Sequence, residues 1–211
     1  MKETASQPLT IPAKASLTTL RKLARDCRNC PLWKGATQTV FGEGPRSARF
    51  VIVGEQPGDR EDLAGKPFVG PAGKLLDRAL AEAGIDRAEV WVTNAVKHFK
   101  WVPRGKVRLH QKPSAGEIQA CRPWLEAELR AIAPEVLILL GATAVRSLLG
   151  PRVRVTVDRG LYQAKEVAPR VVLTVHPSSL LRTRDEESRE AGYRAFVRDL
   201  ALANGPIKGE A

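Results

Sequence analysis

The chain of 211 residues is 43% hydrophobic and 27% charged, a balance that fits one α/β domain with a substantial core and excludes a disordered or fibrous protein. No apolar run is long enough to span a bilayer, and the opening MKETASQPLTIPAK lacks the hydrophobic stretch of a secretory signal, so a soluble cytoplasmic protein without a membrane partner is expected. Lys plus Arg total 34 against 23 Asp plus Glu; the net charge of +11 favours a polyanionic partner, and three cysteines cannot all pair, which makes metal or cluster ligation worth testing.

Residues 1–15 lack an apolar period and are expected to be weakly ordered, as is a tail at 204–211, leaving one domain over 16–203. A helix-like segment leads to Cys27 and Cys30, spaced Cys-x-x-Cys. Four short β-branched runs follow in order, RFVIVG at 49–54, VWVTNAV at 90–96, EVLILLG at 135–141 and VVLTV at 171–175, each reading as a buried strand. Between the first two, Pro71 to Ala83 reads as a helix with Leu75, Leu76 and Leu80 inward and Gly84 at its stop. Ser114 and Glu117 form a capping box ahead of Ile118, Leu125, Leu129 and Ile132 at helical spacing, and Tyr193, Phe196, Val197 and Leu200 trace a last amphipathic face. Strands alternating with helices predict a three-layer α/β/α domain around a mostly parallel four-stranded sheet, with the ligand crevice beyond the carboxyl ends of the strands. GEQPGDRED, TNAVKH, GATA and HPSSLLR all fall at that edge.

Two thiols on one tight turn suit zinc and iron–sulfur sites alike. Cys121, on the inward side of its helix, is the third candidate and His98 the fourth; the plain alternative is a small core cysteine and an incidental pair. The segment KHFKWVPRGKVRLHQKP at 97–113 holds six cations and no acid. With Phe99 and Trp101 among the charges it can combine backbone attraction with stacking on unpaired bases, or be a solvated loop. His110 in this segment can carry a proton, ligate or act as a nucleophile.

GEQPGDREDLAGKPFVGPAGKLLD, TNAVKHFK, KVRLH and HPSSLLR, taken in this order, resemble the uracil-DNA glycosylase superfamily, and most closely its X branch, UdgX, over about Cys27 to Leu200. The X branch is similar to the iron–sulfur family 4 enzymes but carries an extra basic loop ending in histidine. The resemblance implies a monomeric bacterial protein, nucleoid-associated when bound to DNA, that excises uracil, preferentially from single strands, and stays covalently joined through His110 to deoxyribose C1′. It implies a [4Fe–4S] cluster on Cys27, Cys30, His98 and Cys121. Family 4 usually has GEAPG and a cysteine after VVK where this chain has Gln56 and His98, and the X-branch loop KRRIH is here KVRLH, with Val107 and Leu109 substituted.

By family position Phe68 stacks on the flipped uracil and the Asn94 amide reads its polar edge; taken singly, core packing and a strand-end hydrogen bond are their ordinary uses. His176 supports the departing uracil anion. Glu55 orients the His110 imidazole, and Gln56 positions the base or sugar. Lys106, Arg108, Ser178, Ser179 and Arg182 face the DNA backbone, while Leu180 or Leu181 fills space near the displaced base. The competing expectations are a family 4-type enzyme that turns over with water and a non-catalytic nucleic-acid-binding module with structural zinc.

Overall fold

The structure is a computed structural model that describes residues 10–205. Of the weakly ordered ends expected from the sequence, residues 1–9 and 206–211 lie outside the described residues; Ile11 and Ala15 pack against the core.

The central sheet is built from β1 (Phe50–Gly54), β2 (Val90–Asn94), β5 (Val136–Leu140), β6 (Gly160–Tyr162) and β7 (Arg170–Thr174), in the order β2-β1-β5-β7-β6. β2, β1, β5 and β7 run parallel and are the four strands expected from the sequence. The sheet has five strands, correcting the expected four. The additional β6 pairs antiparallel with β7 at the edge, and its three residues, with Leu161 exposed, are too short to show an alternating pattern. β1, β2 and β5 are buried along their whole length because helices cover both faces, which is why their sequences are unbroken apolar runs.

Alternate strand residues feed two cores. Phe50, Ile52, Val136 and Ile138 face α3 (Pro71–Glu82) and α7 (Glu186–Ala201) through Leu76, Leu80 and Phe196. Val51, Val53, Leu137 and Leu139 face α1 (Leu17–Ala24), α4 (Ala115–Ile132) and α5 (Gly141–Leu149) through Leu20, Leu125 and Val145. The expected capping box starts α4: Ser114 Oγ accepts from Glu117 N, and Glu117 accepts from Ser114 N.

Two features place the site. The chain leaves β1 toward β2 on one side and returns on the other as β5, so the strand order switches between β1 and β5, the point whose carboxyl-end side is where open α/β sheets bind their ligands. Separately, β3 (Trp101–Arg104) and β4 (Val107–His110) form an antiparallel hairpin outside the main sheet, with Trp101 opposite His110. α2 (Asp59–Ala64) and α6 (Pro177–Arg182) are short helices that follow β1 and β7 at this edge.

Candidate active site

The carboxyl edge of the sheet carries Glu55, Phe68, Asn94, His110 and His176, with Glu55 beside His110, Phe68 beside His176, and Asn94 and Phe68 together at Gly54. Glu55 lies just beyond β1, and its Oε2 accepts a hydrogen bond from the Thr143 hydroxyl in the first turn of α5. Its other oxygen faces His110 Nε2 at 3.4 Å. His110 ends β4, where partial burial pulls its pKa below the ordinary histidine value; Glu55 opposes that shift, and Arg182 and Lys112 add to it. The imidazole is therefore neutral at physiological pH, the form that carries a nucleophilic lone pair.

Two of the expected site residues meet at Gly54. A Cβ there would overlap Asn94 Oδ1 and lie 2.7 Å from the Phe68 ring, so the glycine lets both side chains converge on the strand end. Phe68 holds a left-handed φ of 57°, and its carbonyl occupies the space a side chain at Gly73 would need. Its ring stacks on His176, with centroids 6.1 Å apart and planes 25° apart.

His176 caps α6. Its Nδ1 accepts from Ser178 N at 3.2 Å and sits 2.8 Å from Ser178 Oγ, which assigns the ring proton to Nε2. Burial, with the charge of Arg182 and that of His110 once it is protonated at low pH, lowers its pKa to about 4. It is thus a neutral donor held by its own backbone turn. Ser178 Oγ also accepts from Arg182, and Ser179 Oγ donates to His176 O, so both serines shape this turn. Leu180 is buried in the helix–sheet core, and the exposed leucine of the pair is Leu181.

Gln56 does not reach the pocket with a free amide. Its Nε2 donates to Lys100 O and Gln111 O at 3.2 and 3.0 Å, and its Oε1 accepts from Lys100 N, so one buried side chain clasps both roots of the hairpin. Arg108, expected on phosphate, instead pairs with Asp59 at 2.5 Å and with the fully buried Asp62 at 2.6 Å, while Asp62 also accepts from Thr37 N. Trp101 Nε1 donates to Gly35 O at 2.7 Å. The segment contains no acid, yet Lys97, Lys100 and Arg108 are all neutralised by carboxylates from elsewhere in the fold. Phe99 is buried and unavailable for stacking on a base. Lys106 and Arg104 at the hairpin tip are exposed.

The cysteines meet behind this edge. Burial drives the Cys121 thiol up to about 12, and both Cys30 and Cys27 lie close enough to raise it further; burial also raises Cys30. Cys121 Sγ accepts from Lys97 N at 3.2 Å and Cys27 Sγ from Trp124 Nε1 at 3.1 Å. His98 Nε2 lies 2.9 Å from Thr39 Oγ1, whose hydroxyl donates to Ala24 O. Thr39 must then accept from Nε2–H, leaving the lone pair on Nδ1. Burial lowers the His98 pKa to about 4, so its ring is neutral. Among the described residues no group of three or more His, Cys, Asp or Glu closes on a single metal ion. Three mutually interacting thiols, two receiving N–H donors, together with a neutral imidazole, are chemically a donor set for an iron–sulfur cluster.

Residues 41–201 match the model of the uracil DNA glycosylase superfamily, and the chain belongs to that superfamily. It is 38% identical to a type-4 uracil-DNA glycosylase of Thermotoga maritima over 88% of this chain and 92% of the relative, and 36% identical to one of Pyrobaculum aerophilum over 90% and 93%. A type-5 uracil-DNA glycosylase of Thermus thermophilus is 32% identical over 59% of each chain.

Arg108→Met strands Asp62 without its cation and is expected to cost about 3 kcal/mol in denaturant unfolding, with faster amide exchange across Trp101–His110; the Arg108→Met/Asp62→Asn pair recovers most of the stability, and unchanged exchange in the single variant contradicts the docking role. For His176 the folded pKa lies below the unfolded one. The unfolded chain therefore binds the extra proton first, and stability present at neutral pH is lost as pH falls from about 6.5 toward 4. His176→Asn makes the slope of stability against pH shallower over that window; an unchanged slope contradicts the depressed His176 pKa.

Proposed function

We propose that the protein is a uracil-DNA glycosylase that prefers single-stranded DNA and remains covalently joined to the abasic site through His110. The observation that carries this reading is the pairing of a neutral imidazole with Glu55, 3.4 Å away, at the end of a hairpin fixed by Gln56 and Arg108. A proton shuttle or a phosphate contact needs no such fixation; a nucleophile competing with water does, since geometry sets the effective concentration.

A single strand presents a flipped uracil with less unpairing cost. The base lies against Phe68, and the Asn94 amide offers a donor and an acceptor to its edge. As the C1′–N1 bond breaks, its electron pair leaves with uracil, and the anion is met by the Nε2–H of His176; positive charge develops on the sugar beside the Glu55 carboxylate. The His110 lone pair then forms a bond to C1′, the positive charge passes to the imidazole ring, and ring-proton loss to solvent leaves a neutral adduct. Exposed Lys106 and Arg182, with the Ser178–Ser179 turn, meet the DNA backbone, and exposed Leu181 takes the space of the displaced base. Gln56 and Arg108 act through the hairpin.

Cys27, Cys30, Cys121 and, through Nδ1, His98 would hold a [4Fe–4S] cluster. Bound there, it would tie the N-terminal segment to α4 and to the root of the hairpin. Iron and sulfide analysis with visible absorbance is expected to give a [4Fe–4S] signature that Cys121→Ser abolishes; zinc in the purified protein without iron contradicts the assignment.

On a denaturing gel, wild-type protein with a single-stranded uracil oligonucleotide is expected to give a shifted, heat-stable band that His110→Ala lacks. His110→Gly admits water into the vacated space and is expected to release uracil with turnover. An undiminished band from His110→Ala contradicts the nucleophile, and uracil release by the wild type without any band supports the water-dependent family 4-type reaction.

A further inference from the structure

We infer that Lys97, which the sequence presents as one more DNA-facing cation of the basic segment, is a positioning residue that fixes the Asn94 backbone and so aims its amide at the base. The inference rests on the proposal that Asn94 reads uracil.

Lys97 is 1% exposed and Glu128 is fully buried. The ammonium carries three N–H donors, and each has an acceptor: the Glu128 carboxylate, Thr93 Oγ1 at 2.7 Å and the Asn94 carbonyl at 2.8 Å. Glu128 in turn accepts from the Thr93 hydroxyl at 2.9 Å and from Gly42 N at 3.0 Å. A side chain on Gly42 would overlap Glu128 and the Trp91 indole, so this stretch of backbone is fitted around the pair.

A buried ion pair is weak grounds for assigning a stabilising role, because two apolar side chains of similar volume often serve a fold as well or better. An apolar pair cannot, however, donate to a carbonyl. The carbonyl that Lys97 takes belongs to the last residue of β2, the point at which the chain leaves the strand and turns into the hairpin segment. On the far side of the same residue, Ala95 N donates to Gly54 O and Val96 N to Glu55 O, so the chain beyond Asn94 is tied to the mouth of β1. Asn94 is thereby held between the mouth of β1 and the ammonium of Lys97, with its side chain against Gly54 and Phe68. A bond at this carbonyl restrains ψ of Asn94 and the peptide plane beyond it, and so fixes the backbone from which its Cα–Cβ bond projects toward Gly54. Lys97 N–H also reaches Cys121 Sγ, so this positioning device is anchored on α4.

The test is single-turnover uracil release at saturating single-stranded uracil DNA, alongside affinity for the same strand without uracil and thermal unfolding. Lys97→Met alone leaves Glu128 as an unpaired buried charge, so the informative variant is Lys97→Met/Glu128→Gln. There the Gln amide can still accept from Gly42 N and donate to Thr93 while the charge is gone. This variant is expected to unfold cooperatively and to bind undamaged strand within about twofold of wild type, yet to release uracil at least about tenfold more slowly, since a small misplacement of a recognition group costs up to about a hundredfold. Release at the wild-type rate overturns the inference and leaves the proposed function intact; no release by the wild type sinks the proposed function itself.

Thr93→Val supplies the second arm. It strips one acceptor but leaves the Asn94 carbonyl held, so a loss of less than about threefold is expected. A loss there as large as in the double variant assigns the effect to a loosened strand and overturns the positioning role.

Discussion

The arrangement depends on one constraint: the hairpin carrying His110 is outside the central sheet and must be held against it by side chains. Gln56 does this at the roots, through three hydrogen bonds to backbone, and Arg108 does it along the second strand, through two carboxylates. Asp62 has no access to solvent, and burying a carboxylate costs several kcal/mol unless a cation and hydrogen bonds meet it. Undocking the hairpin would leave that charge unpaired. The same docking brings the His110 imidazole to Glu55, so the cost of exposing an orphan carboxylate keeps that ring in register with the sheet.

The electrostatics of the basic segment take on a different meaning in the fold. Its cations divide into a structural set, Lys97, Lys100 and Arg108, each spent on a carboxylate, and an exposed set at the tip that includes Arg104 and Lys106. The first set shapes the site and the second is left to meet polyanion. Desolvation pulls both histidines at this edge below the ordinary imidazole pKa, although His110 remains nearly half exposed, and the proposed reaction gives each a distinct use: His176 a proton whose position is set by its capping turn, His110 a lone pair.

The layer architecture was legible because parallel strands buried on both faces must be continuous apolar runs, and the glycine and polar residues after each run mark the carboxyl edge. β6 escaped because three residues, one of them glycine, carry no period. Phe68, Asn94, His176, Glu55 and His110 do converge, and their motifs pointed to one edge. What composition could not show is who neutralises whom. Asp59 and Asp62 are visible in GDRED and Glu128 in α4, but their pairing with the hairpin and with Lys97 is a property of the tertiary contacts, at sequence separations of 31 to 49 residues. Thr143 was equally hidden, since nothing in GATA marks its hydroxyl as the partner of Glu55. Gln56 stands out in the sequence as a departure from the family 4 pattern, but its use as a clasp emerges only when Lys100 and Gln111 are brought together.

Tandem mass spectrometry of the digested product, formed by wild-type protein with a uracil-bearing single strand, reads the central chemistry directly. The account predicts that the deoxyribose remnant is found on His110. Complete loss of uracil from the DNA with every peptide unmodified, or the remnant on a different residue, would contradict it.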